Sequence, residues 1–142
     1  MKAFFKHSKP MNTLASINQR ISANRFDSAQ PLSRAEIEEL VTCATQAPSS
    51  FNLQHWRFIA VTEPADKERL KAVAYGQQKV VDAAVTFIVL GDLQAHVKLP
   101  DILAQSVKAG VFDQATADGM VGMANQMYAN PAAQRDEAIR SA

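Results

Sequence analysis

Ala47-Pro48-Ser49-Ser50-Phe51-Asn52-Leu53-Gln54-His55-Trp56-Arg57-Phe58-Ile59-Ala60-Val61-Thr62 passes from a polar segment, with two hydroxyls and two amides, into a short aromatic and β-branched run. Residues 56–62, with Pro64 just beyond, suit a strand better than a helix. Upstream, Ser33-Arg34-Ala35-Glu36 matches a capping box, with Leu32 and Ile37 at the two positions of a hydrophobic staple. Ile37, Leu40, Val41 and Ala44 then recur at helical spacing, and Pro48 bounds that helix near Gln46. Further back, Leu14 to Arg20 reads as a short helix, and Ile21 to Phe26 as a polar-rich turn with two apolar anchors.

Downstream, Pro64 can open a helix at its first turn that carries Leu70, Val73 and Ala74 inward and stops at Gly76. Lys79 to Ala83 adds a helical turn, and the nearly continuous apolar run from Val85 to Gly91 reads as a strand buried on both faces. From Leu93 onward the chain is mostly helical. Pro100 kinks or restarts it, Gly110 ends it, Asp113 caps the next helix, and Asn130-Pro131 forms a further cap and first turn. Met120, Met123, Met127 and Tyr128 share one helical face, which reads first as a core or dimer stripe. With two strands and no internal repeat or long linker, the fold class is α+β in a single unit. Two strands seldom make a stable sheet alone, so further strands are expected to be missing or supplied by a partner.

The chain has 142 residues, of which 47% are hydrophobic and 20% charged, enough apolar material for one globular core. A formal net charge of +1 offers no basic surface for nucleic acid, so a small-molecule partner is the better expectation. Cys43 is the only cysteine, which excludes an intrachain disulfide and fits a reducing, cytoplasmic setting. No apolar run suits a signal peptide or a bilayer span, and no membrane partner is expected. Met11 can serve as a start as well as Met1, which would make the first ten residues an extension.

No familiar catalytic constellation is present. His7, His55 and His96 lie far apart in sequence without the acidic or cysteine companions of a zinc site, so no metal is expected. A P-loop, a G-x-G-x-x-G and a G-x-S-x-G are all lacking. Two polar clusters remain. In Arg20-Ile21-Ser22-Ala23-Asn24, a guanidinium and a hydroxyl at a helix boundary read either as a solvated cap or as a phosphate holder. In residues 47–56, the side chains of Ser49, Ser50, Asn52 and Gln54 either decorate a plain loop or line the edge of a heteroaromatic ring, with Pro48 and Phe51 as apolar surface.

The two clusters at this spacing resemble the nitroreductase family. That family typically carries Arg-x-Ser followed by a basic residue, then Ala-Pro-Ser-Ser-x-Asn-x-Gln-Pro-Trp leading into a strand. The counterparts here are Arg20, Ser22 and Asn24, then Ala47 through Trp56, and the resemblance runs from about Asn18 to the end. It divides the chain into residues 1–17, an N-terminal extension and first helix, and residues 18–142, the N-terminal two-thirds of a flavin-binding domain. Helices would pack around a small mixed sheet that is incomplete in this chain. In two places the motif departs from the family pattern: Asn24 stands where many members have Lys or Arg, and His55 replaces the usual proline.

The resemblance implies FMN at a homodimer interface, with Arg20 and Ser22 near the phosphate of one subunit's flavin and Asn24 as a further cofactor-binding residue whose hydrogen bonding substitutes for charge at one edge. Pro48, Ser49, Ser50, Asn52 and Gln54 would meet the flavin held mainly by the other subunit. Lys79, after Gly76-Gln77-Gln78, matches a position at the pyrimidine edge, where a cation balances charge that builds on reduction, although it reads equally as an exposed lysine opening a helical turn. The implied activity is an NAD(P)H-dependent oxidoreductase that moves a hydride through flavin N5 to a quinone or nitro-type acceptor, with no side chain acting as nucleophile. A rival reading is a non-catalytic flavin-binding or dimerisation fragment. A third treats the Met120 to Tyr128 face as a helical interaction module.

Overall fold

The computed structural model describes residues 12–142; the expected extension, the choice between Met1 and Met11, and His7 lie outside the described residues. Two compact units emerge, each discontinuous in the chain: residues up to Glu39 with Val61–Thr86, and Leu40–Ala60 with Phe87–Ala142. Among the described residues, no helix is long and apolar enough to cross a membrane.

In the first unit, helix α1 spans Thr13–Gln19, and the Asn12 side chain accepts from the Ala15 amide at 2.8 Å. The stretch after it has no regular structure, and its expected anchors Ile21 and Phe26 are exposed rather than seated in a core. Helix α2, Arg34–Ala44, starts on the expected capping box: the Ser33 amide donates to the Glu36 carboxylate at 2.7 Å, and the Glu36 amide to Ser33 Oγ at 3.3 Å. Leu32 and Ile37 are half-buried as a staple requires, whereas Ala44 is exposed at the fraying end.

Helix α3, Pro64–Val73, opens on proline, and Gly76 at φ +68° closes it by donating to the Lys71 carbonyl at 3.0 Å. Its inward face differs from the expected one. Val73 is 78% exposed, and the buried position falls to Lys67, whose ammonium donates to the Ala83 carbonyl at 2.6 Å. A long aliphatic stem covers apolar surface while its head satisfies a carbonyl, which hydropathy alone does not anticipate. Helix α4, Lys79–Asp82, is the expected single turn, and Thr86 Oγ donates to the Val80 carbonyl at 3.1 Å.

The second unit holds the strands and most of the core. Strand β1 spans Trp56–Val61 and pairs with β2, Thr86–Gly91. The start of β1 lies beside the end of β2: the Asp92 amide donates to the His55 carbonyl at 2.8 Å, and the Phe58 and Phe87 rings meet edge to face. That register is antiparallel. Expected burial of β2 on both faces is not met, because Val89 and Leu90 are nearly half exposed. The described residues supply two strands, in the order β1-β2.

A short 3-10 turn, Ala95–Lys98, leads into helix α5, Leu99–Lys108, which carries Pro100 in its first turn. Helix α6, Gln114–Tyr128, is capped by Asp113, whose carboxylate accepts from the Thr116 amide at 2.7 Å. Helix α7, Pro131–Arg140, starts on the expected Asn130 cap. The core joins Leu53 to Ala95, Leu99, Leu103, Ala117, Ala124 and Tyr128. Each buried leucine there contributes about 1.5–3 kcal/mol. The methionine stripe splits: Tyr128 is fully buried, Met120 and Met127 pack against the core, and Met123 is exposed. This face therefore belongs mainly to the unit's own interior, which weakens its reading as a free interaction module.

Gly91 is where β2 passes closest to α7. A Cβ placed on it would lie 2.4 Å from the Ala138 carbonyl oxygen, which is backbone and cannot rotate away. Gly91→Ala is expected to destabilise the protein by about 1–3 kcal/mol in chemical denaturation; an unchanged unfolding midpoint would contradict this packing.

Candidate functional site

Between α2 and β1 the chain turns through a 3-10 segment, Ser50–Asn52, and three nearby residues adopt the left-handed region: Phe51 at φ 51°, Asn52 at 54° and Gln54 at 51°. None is glycine, and such conformations cost on the order of 1–3 kcal/mol each. The surroundings over-determine them. Leu53 plugs the core, the Gln54 amide donates to Ser49 Oγ at 2.9 Å, and the Ser50 amide donates to Ser141 Oγ at 3.3 Å.

Arg57 clamps the far end of the loop. Its guanidinium donates to the Gln54 carbonyl at 3.2 Å and the Trp56 carbonyl at 2.8 Å, and pairs with the Asp92 carboxylate at 2.6 Å. A cleft of about 390 Å³ opens beside this clamp, between Gln54, Trp56 and Arg57 on one side and Lys98, Asp101 and Gln105 on the other. The loop thus offers a rigid edge: Pro48, Asn52 and Gln54 are exposed, and Ser49 and Ser50 half-buried.

The remaining predicted residues stand on other elements. Arg20 caps the C-terminus of α1, and Ser22 and Asn24 follow in the irregular stretch, all three exposed. Lys79 opens α4 and is half-buried. The structure therefore brings Pro48, Ser49, Ser50, Asn52 and Gln54 together in one loop of the second unit, while Arg20, Ser22, Asn24 and Lys79 belong to the first.

The histidines are not as unrelated as their spacing suggests. His55 is fully buried, and its Nε2 lies 2.5 Å from the Tyr128 hydroxyl. His96 also stacks on Tyr128, its ring centroid 4.4 Å from that of Tyr128 and 23° from coplanar. Nδ1 of both histidines is buried without a hydrogen-bond partner among the described residues. Burial lowers the His55 pKa, outweighing the nearby Glu137 and Asp92 carboxylates, while Arg57 and His96 push the same way as burial. The Tyr128 hydroxyl is shifted up, first by burial and then by Glu137. Sequence reading missed this cluster because only the fold relates positions 55, 96 and 128. One signal was available, a histidine standing where the family motif has proline.

The sequence model of the Nitroreductase family matches residues 17–142. The chain belongs to the nitroreductase family. MhqN of Bacillus subtilis (strain 168) is 38% identical over 128 residues, covering 89% of this chain and 62% of MhqN. A crystal structure of ydfN from Bacillus subtilis superposes with a TM-score of 0.79 at 36% identity, over 88% of this chain and 61% of that one. A structure from Exiguobacterium sibiricum 255-15, solved in complex with FMN, superposes with a TM-score of 0.79 at 26% identity, over 94% of this chain and 65% of that one. This nitroreductase chain thus spans somewhat under two-thirds of the length of these relatives.

Because burial holds the His55 pKa below its ordinary 6.5, the unfolded chain takes up that proton first as pH falls. Stability present above pH 6.5 is therefore lost progressively below it. In His55→Gln, the slope of melting temperature against pH just below that value should flatten; a slope identical to wild type would assign the pH dependence to other groups.

Proposed function

We propose that this chain forms the flavin-contacting part of an FMN-dependent oxidoreductase, which takes a hydride from NAD(P)H and passes it to a quinone or nitro-type acceptor. The observation that carries this reading is the strained yet firmly anchored loop of residues 48–54. Strain of this kind persists where a backbone shape is needed for function. The donor set fits the group. Neutral amides and hydroxyls on Ser49, Ser50, Asn52 and Gln54 suit the polar edge of a flavin ring, which carries both donors and acceptors. Arg20 and Ser22 suit a phosphate, for which a guanidinium supplies charge-assisted hydrogen bonds. Asn24, where a basic residue is usual, contributes a hydrogen bond without charge.

FMN when bound supplies the two-electron chemistry itself. The residues of the chain bind and orient. Loop 48–54 holds its amides on a backbone that does not reorganise, and Lys79 offers a cation at the pyrimidine edge. A homodimer with composite sites accords with the exposed apolar residues Ile59, Val89 and Leu90 on the strands. NAD(P)H as donor is in keeping with the name of a relative, the oxygen-insensitive NADPH nitroreductase of Helicobacter pylori (strain ATCC 700392 / 26695). A cytoplasmic location suits that donor and the single unpaired cysteine.

The test is the visible absorbance of the purified chain after incubation with FMN and removal of free flavin, followed by NADH without oxygen. Retained yellow colour that bleaches on NADH addition is the expected result. A folded, monodisperse sample that retains none favours the fragment reading over the enzyme. Arg20→Ala should weaken FMN binding by about tenfold in a fluorescence titration, as expected for loss of a charged hydrogen bond to phosphate.

A further inference from the structure

We propose that Tyr128 is a positioning residue for the loop of residues 48–54, and that its hydrogen bond to His55 holds the loop in the backbone shape presented to the flavin. The flavin half of this inference rests on the function proposed above; the positioning half does not.

Tyr128 is 1% exposed and belongs to the core of the second unit, with Leu99, Leu103, Ala117 and Ala124. The stacked His96 ring restricts its tilt further. Its hydroxyl is therefore a fixed point, set mainly by the packing of the helices, with Leu53 of the loop seated in the same core. His55 is the first residue after the left-handed Gln54 and the last before β1. Its carbonyl accepts from the Asp92 amide, and its ring reaches the Tyr128 hydroxyl, so backbone and side chain are held independently.

Such an anchor has a purpose. Phe51, Asn52 and Gln54 would each relax toward negative φ if the loop were released. At the N-terminal end Ser50 is tied to Ser141, and across the loop Ser49 is tied to Gln54. Toward β1, Arg57 binds carbonyls from an exposed position, and the His55 to Tyr128 bond supplies the buried tie. Proline, the residue the family motif usually has here, restrains the chain covalently through its ring. In this chain a side chain anchored in the core takes over that restraint, and it links the loop to α6.

The decisive comparison is residue-resolved amide hydrogen exchange in wild type, Tyr128→Phe, His55→Phe and the double variant, each as the full 142-residue chain. In Tyr128→Phe the Leu53 and Gln54 amides should exchange about tenfold faster, while core amides such as Leu103 and Ala117 change by less than about twofold. The double variant should resemble either single variant, because the two substitutions remove the same bond. Uniform acceleration across the unit, unchanged loop amides, or additive effects of the two single substitutions would each overturn the positioning role. In a wild-type chain that binds FMN, Tyr128→Phe should also raise the Kd by about tenfold. A Kd unchanged while the loop amides accelerate overturns the flavin half. If wild type retains no FMN, the function proposed above fails, and the exchange comparison still decides whether Tyr128 positions the loop.

Discussion

Three non-glycine residues within four positions, Phe51, Asn52 and Gln54, hold left-handed backbone, and the organisation of the second unit follows from what keeps them there. Their combined cost, a few kcal/mol by ordinary magnitudes, is comparable to what the burial of one or two large side chains contributes. Leu53, fully buried between the strained residues, is the natural source of compensation. The loop is therefore an extension of the core, with Leu53 turned inward and the amides of Asn52 and Gln54 turned outward by the same backbone geometry.

This arrangement separates binding from support. Asn52 and Gln54 are exposed, as the binding role proposed for them requires, whereas Ser49, His55, Arg57, Tyr128 and Ser141 tie the backbone that carries them. Arg57 satisfies two carbonyls and a carboxylate at once, which a lysine, lacking the planar fork, cannot reproduce. The function proposed above would ask little acid–base chemistry of the side chains but much precision of position, which support of this kind supplies.

Membership of the nitroreductase family also gives meaning to the apolar residues left in the open. Ile59, Val89 and Leu90 on the strands, and Met123 on α6, are exposed in a chain that spans less than two-thirds of its relatives' length. Val89 and Leu90 are consecutive in a strand and so stand on opposite faces, which leaves this end of the sheet partly exposed on both sides. His55 and Tyr128 show the opposite situation, polar groups drawn fully into the interior and paired with one another.

Local signals were legible directly in the sequence. The capping box at Ser33, the proline starts at Pro64 and Pro131, the Gly76 stop, the Asp113 cap and both strands depend on residues within a turn of one another, so spacing alone reveals them. The motif of residues 47–56 carried the family for the same reason, since its hydroxyls and amides are contiguous. What tertiary structure alone decided concerns contacts between distant positions. Val73 and Leu90 stayed exposed although their hydropathy favoured the interior, and Lys67 was buried although its charge opposed it. His55, His96 and Tyr128 met only because α6 and the turn before α5 pack beside the loop. Hydropathy and periodicity describe what a residue prefers within its own element; which surface each element finally meets is set by the packing of the others.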